Sequence, residues 1–344
     1  MQNQHKRFVL FLVSSLVIIS VAFYLSLTSG SYELSINQTF RTLFRLDVDA
    51  RQDLIIFDFR LPRIVLGALV GMGLGIAGAV LQGITRNPLA DPGILGINAG
   101  AGAAVVCFLF LVQGSLIDIN WLSIFVMPIV GWVGGMLAVV LLLVFATERG
   151  RLDPQIFILT GIAISAGFGA LTLFVSLKMN PRDYEMAAVW LAGSVYSTNW
   201  KHVLITLPWI LILTPFIVYK ARKLDVLGLS EISATGLGLS VTKERYTLIF
   251  LSVGLIAACV SVAGSIAFVG LIAPHVARRL VGIHHRFVLP ASGILGVIIV
   301  MIADWIAKTI FAPAQLPVGV VISIIGVPYF IFLLFQSKRN AKST

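Results

Sequence analysis

The sequence predicts an all-α, polytopic membrane protein of about ten transmembrane helices, and three observations carry that expectation. Only 12% of the 344 residues are charged, and nearly all the charges fall in short gaps between long apolar runs. Runs such as Phe8–Leu27 and Leu122–Ala146 contain no charged side chain over about 20 residues, enough helix to cross roughly 30 Å of hydrocarbon. The runs are apolar on every face, and the mean hydropathy is +0.98, so lipid or protein must surround them on all sides.

In chain order the predicted spans are 8–28, 62–84, 94–112, 122–146, 156–176, 202–219, 246–263, 273–282, 287–310 and 317–336. The first follows His5-Lys6-Arg7 and is too long for the apolar core of a cleaved leader, about 7–15 residues, so it reads as retained. The eighth is weak and reads as a short or half-buried helix. Cys107 and Cys259 both lie inside apolar runs, which favours buried, inert thiols over a disulfide.

The net charge is +10, yet its placement argues against nucleic acid. Basic residues gather at Lys6-Arg7, Arg149–Arg151, Lys220–Lys223, Lys243–Arg245, Arg278-Arg279 with Arg286, and Lys338-Arg339. These are alternate gaps, as the excess of cations in cytoplasmic loops requires, and both termini come out cytoplasmic. The first outer gap, 29–61, holds Arg41, Arg45, Arg51 and Arg60, set against Glu33, Asp47, Asp49, Asp53 and Asp58.

Two segments do not fit simple spans. Residues 185–194, including Trp190, Gly193 and Ser194, are too short to cross a bilayer. They read as a short helix at the outer mouth, a re-entrant piece, or an interfacial loop anchored by Trp190. The inner loop 220–245 encloses Gly228, Leu229, Ser230, Glu231, Ala234, Gly236 and Gly238 between Lys/Arg-rich ends. Ser230 and Ser240 suit helix N-caps, and the two later glycines suit breaks between short helices. Its apolar side chains mark either a docking surface for a soluble partner or a plain connector. Within the second span, Gly67, Gly71 and Gly75 form a small-residue stripe for close helix approach.

Three strings carry function. The first is Arg86-Asn87-Pro88-Leu89-Ala90-Asp91-Pro92-Gly93-Ile94-Leu95-Gly96; the second runs from Gly264 to His275; the third joins Asp304 and Lys308 to Leu316-Pro317 and Gly326-Val327-Pro328. With Arg60-Leu61-Pro62-Arg63 and Leu159-Thr160-Gly161, they resemble, over nearly the whole chain, the FecCD-type permease subunits of iron-siderophore and cobalamin ABC importers.

That resemblance implies the type II ABC importer permease fold, in a bacterial cytoplasmic membrane. It implies two permease subunits, identical or paralogous, two cytoplasmic ATP-binding subunits and an extracytoplasmic substrate-binding protein. It also implies that residues 228–240 couple to the ATPase. Asn87 and Leu89 belong to an inner gate, and Arg60, Arg63 and Lys308 engage acidic side chains of the binding protein. For Lys308, an i,i+4 ion pair with Asp304 is the competing reading. Arg151-Leu152-Asp153-Pro154 has an acid and a proline where related chains often place small hydroxyl residues, so it receives no gate role.

The residues themselves agree on one independent point. No GxxxxGK[S/T] string occurs, so any ATP must be hydrolysed by a partner. No catalytic residue, cofactor or resident metal is expected: HExxH is lacking, and His284-His285 are adjacent rather than four apart. The cargo expected is a ferric siderophore, with cobalamin or haem as alternatives. A proton-coupled carrier is the rival class, and Asp304 is nearly its only candidate carboxylate. Spans 2–5 and 7–10 are expected to be inverted repeats.

Overall fold

The computed structural model describes residues 2–30, 32, 34–46, 49–112, 119–148, 151–152, 154–196, 198–312 and 314–342. Expectations about Glu33, Asp47, Arg149 and Asp153 lie outside the described residues.

Each of the ten apolar ranges is helical. The elements are α1 (Gln2–Thr28), α2 (Ile36–Leu43), α3 (Ala50–Asp53), a π-helical turn (Leu54–Arg60), α4 (Leu61–Thr85), a 3-10 turn (Pro92–Leu95), α5 (Ile97–Val112) and α6 (Ile119–Ala146). After a two-stranded hairpin, β1 (Thr147–Glu148) and β2 (Arg151–Leu152), come α7 (Pro154–Ser176), α8 (Pro181–Leu191), α9 (Trp200–Tyr219), α10 (Ala221–Leu227) and α11 (Glu231–Gly236). The chain closes with α12 (Val241–Ala263), α13 (Val269–Val281), α14 (His285–Thr309) and α15 (Val318–Lys342). Among the described residues, eight helices are long and apolar enough to cross a membrane. The apolar α5 is shorter, and α13 has 13 residues.

Helix α4 is the axis of the fold. It packs most extensively on α14, then on α12 and α13. Its glycine stripe explains the closeness of the first contact. A Cβ on Gly71 would run into the Gly296 carbonyl of α14, and one on Gly75 into that of Ser292. Backbone-to-backbone approach gains dispersion contact that lipid would otherwise supply. By contrast, only 11% of the α7 window and 17% of the α1 window is buried, against 83% around α4. Thus α4 is interior and α1 and α7 form the rim.

Two departures from expectation have physical causes. The gap 29–61 is largely helical: Ser35 and Gln38 form a capping box that starts α2, and Asp49 caps α3. Its charges hid that helix from a search for apolar runs. The inner loop does not hold two short helices alone. Instead α12 starts at Val241, so Glu244 and Arg245 belong to a long helix and are buried there. Ser230 caps α11 through the Ser233 N–H at 3.1 Å, whereas Ser240 makes no side-chain cap bond.

Candidate functional site

Two polar regions sit at opposite ends of α14, about 35 Å apart at 1.5 Å per residue. At its start lies the 220–245 loop; at its end lie Arg60, Arg63 and Lys308.

The loop face is a braced platform. Leu224, Leu227 and Ala234 are buried and fix α10 and α11 to the core. Lys220 and Lys223 both donate to the Glu244 carboxylate, the first at 2.6 Å, and Arg245 reaches Glu231 at 2.6 Å. Asp225 accepts from the His285 backbone N–H at 2.9 Å and lies 2.7 Å from its Nδ1. Burial alone would raise the Asp225 carboxyl, but the bonds from His285 and the charges of His285 and His284 hold it below the ordinary carboxylate value. Against this bracing, Ile232 is 87% exposed and Leu237 68%, with Leu229 beside them.

Arg86 joins this platform to the first motif string. It ends α4 in the left-handed conformation, at φ 51°. Its Nε and Nη2 donate to the Leu227 carbonyl at 3.0 and 2.8 Å, and Nη2 also to that of Leu229. The residue that follows, Asn87, accepts the Leu89 N–H at 2.9 Å, which fixes the turn. Leu89 and Asp91 then line a cavity of about 760 Å³ that Asn98, Ser165, Leu191 and Phe268 also border. Burial pushes the Asp91 carboxyl up to about 6, although the Gly93 N–H it accepts works the other way.

The same cavity reaches the segment at 185–194, whose helical part, α8, begins earlier, at Pro181, and ends at Leu191. Gly193 adopts φ +75°, and a Cβ there would meet the Ser265 carbonyl. Ser194 N–H donates to Ala263 O at 2.8 Å, and Gly319 N–H to Gly193 O at 2.9 Å. Trp190 packs against the core beside this junction. Of the expected gate and mouth residues, Leu89 borders this cavity, which also reaches Leu191 of α8; Asn87, Trp190, Gly193 and Ser194 are not among its lining.

On the opposite face the three cations are internally engaged. Arg63 holds both Asp304 oxygens through Nε and Nη2, at 2.8 to 3.1 Å, and donates to Gln315 Oε1 at 2.7 Å. Lys308 is 6% exposed and donates to the Ser26 carbonyl at 2.6 Å. Arg60 donates to the carbonyls of Leu27 and Tyr32. The Lys308–Asp304 pair anticipated from i,i+4 spacing is not the one formed. A guanidinium matches a carboxylate with two parallel bonds, which a point-like ammonium cannot do. Three cations against one carboxylate leave these four side chains with a net charge of +2.

Sequence reasoning missed Gln315, Arg86 as a brace, and the Asp225–His285 contact. Only Arg86 had a signal, as the head of the first motif string; its acceptors, the Leu227 and Leu229 carbonyls, lie outside the helix it ends. Among the described residues no group of three His, Cys, Asp or Glu side chains is placed to hold a metal ion.

Comparison with known proteins agrees with this architecture. A family model described as the FecCD transport family matches residues 17–336. The iron-uptake system permease protein FeuC of Bacillus subtilis is 49% identical, covering 97% of this chain and 98% of its own. The iron(3+)-hydroxamate import system permease protein FhuG of the same organism is 44% identical, covering 98% and 100%. A solved inward-facing structure, described as a metal-chelate type ABC transporter, superposes with a TM-score of 0.82 at 29% identity, covering 94% of this chain and 98% of that one. With a family match over nearly all of its length, the chain belongs to the FecCD transport family, as the multi-pass permease of an ATP-binding-cassette importer.

Proposed function

We propose that this chain is one of two permease subunits that carry a ferric siderophore across the bacterial cytoplasmic membrane. Two ATP-binding subunits grip the loop face, and a loaded binding protein docks on the cationic face. Ferric cargo is favoured by the names of FeuC and FhuG, both iron permeases. The density of Lys and Arg around 220–245 and 278–286 supports a cytoplasmic loop face, with both termini on the same side. The weakly buried α7, with Gly167 and Gly169 in open space, suits contact with a second permease.

The observation that carries the reading is the contrast at residues 229–237. Apolar side chains stand in the open, yet ion pairs and the Arg86 brace fix the backbone beneath them. A flexible connector needs no such bracing, and a docking knob does. ATP-driven closure of the ATPase pair then displaces α11. Arg86 passes that displacement to Asn87 and Leu89, and the cavity changes which side it opens to. On the other face the surplus positive charge attracts acidic side chains of the binding protein, with Arg60 the most available contact because its partners are neutral carbonyls.

The test is Ile232→Asp with Leu237→Asp in the co-expressed importer. Both side chains are exposed, so the permease should still fold and insert while its ATP-binding subunits are lost on purification and uptake stops. Retention of those subunits at wild-type stoichiometry would overturn the assignment.

A further inference from the structure

Between the end of α1 and the start of α4, helix α2 sorts its side chains the wrong way round for a helix in water. Thr39 and Thr42 are turned inward, and the Thr42 hydroxyl contacts Gln38 O and Gln52 Oε1, both at 2.8 Å. Ile36, Phe40 and Phe44, four residues apart on one stripe, are 68%, 55% and 60% exposed. The two rings lie 4.5 Å apart, and Leu46, Leu54 and Phe59 extend the apolar surface. Hydroxyls inside and aromatics outside is the pattern of a helix whose outer face meets something other than water.

We propose that α2 lies flat on the outer leaflet, with Ile36, Phe40 and Phe44 seated at the boundary between headgroups and acyl chains. Three observations select lipid as the occupant. The segment connects two helices that are long and apolar enough to cross a membrane, from Thr28 of the first to Ala50, where the second begins, and this holds it beside the membrane surface. It rests chiefly on α1, α3 and the π-helical turn, and α1 belongs to the exposed rim. Of the cations nearby, Arg41 is on the helix itself but off the 36/40/44 stripe, and Arg45 is closed by Asp53 at 2.6 Å and stacks over Phe57, so the stripe offers apolar area rather than charge. An apolar stripe beside polar residues, parallel to the surface, is how interfacial helices bind bilayers. The inference uses the membrane placement of α1 and α4 but not the cargo, the ATPase or the docking scheme.

Spin labels test it on the full chain in phosphatidylcholine–phosphatidylglycerol vesicles, with no partner protein or ATP present. Single cysteines replace Phe40, Phe44 or Arg41 in a Cys107→Ser, Cys259→Ala background. Collisions with oxygen should exceed those with a water-soluble nickel chelate at 40 and 44, and the ratio should reverse at 41. Labels at 40 and 44 as open to the nickel chelate as the one at 41 would overturn the proposal. So would labels that become protected only when the binding protein is added, which would assign the face to that partner. Uptake assays play no part, so failure here is separable from failure of the transport reading.

Discussion

The loop face and the cationic face both bury ion pairs, yet they leave different things at the surface. On the loop face acids and cations are matched: Glu244 with Lys220 and Lys223, Glu231 with Arg245, Asp225 with His285. Arg222 and Lys243 also stand exposed there, and what sets this face apart is its exposed apolar side chains, chiefly Ile232 and Leu237. On the cationic face a single carboxylate, Asp304, faces Arg63 with Arg60 and Lys308 nearby. What remains there is charge. On the proposed docking scheme, the difference means that one partner is recognised by shape and buried area and the other by electrostatic attraction.

The largest expected effect separates structure from docking on the cationic face. Arg63→Ala strands a buried Asp304 carboxylate and should cost about 3–5 kcal/mol of stability. Thermal unfolding in detergent checks it, and Asp304→Asn in the same chain should restore much of the loss. A loss below about 1 kcal/mol would mean the pair behaves as a surface one. Arg63→Glu is therefore a poor docking probe, since it sets two carboxylates together.

Next in size is the brace between the platform and the proposed gate. Arg86→Ala removes charged hydrogen bonds made by an exposed side chain and should cost about 1.5–3 kcal/mol in all. ATP-binding subunits should still co-purify, while hydrolysis stimulated by the loaded binding protein falls toward the basal rate. Arg86→Lys should recover part of it. Equal loss of basal and stimulated hydrolysis would make Arg86 merely structural.

A smaller effect sharpens the contrast directly. Arg60→Glu should weaken binding-protein affinity by about tenfold, or 1.4 kcal/mol. Wild-type docking there should weaken with added salt, while ATPase association should hold. Equal salt dependence on both faces would remove the distinction.

The smallest effect is a pH dependence at the loop face. Because the Asp225 carboxyl is lowered in the fold, its stabilisation is present above the ordinary value of 3.8 and is lost as pH falls through the lowered one. The stability advantage over Asp225→Asn should therefore shrink as pH falls below about 4. An advantage that grows on acidification below that pH would reverse the assignment.

Most of the helical framework was legible, because membrane spans announce themselves by unbroken apolarity. The contact of α4 with α14 was half legible: Gly67, Gly71 and Gly75 advertised close approach, but not that Gly296 and Ser292 would meet them. Helix α2 escaped because its signal is a capping box, Ser35 with Gln38, rather than hydropathy. The Arg63–Asp304 pair joins residues 241 apart in sequence, and the nearer Lys308 offered a false partner. Arg86 was readable only as the head of a motif, since its acceptors are backbone carbonyls that carry no residue signature.

The central claim is that this permease moves cargo only when a separate ATPase works its loop face. The most direct measurement is ferric-siderophore uptake into proteoliposomes holding the permease, with the ATP-binding subunits and loaded binding protein included or withheld and the proton gradient collapsed. Accumulation should require ATP and all the partners and should survive loss of the gradient. Uphill accumulation by the permease without the ATP-binding subunits, or uptake abolished by collapsing the gradient alone, would contradict it.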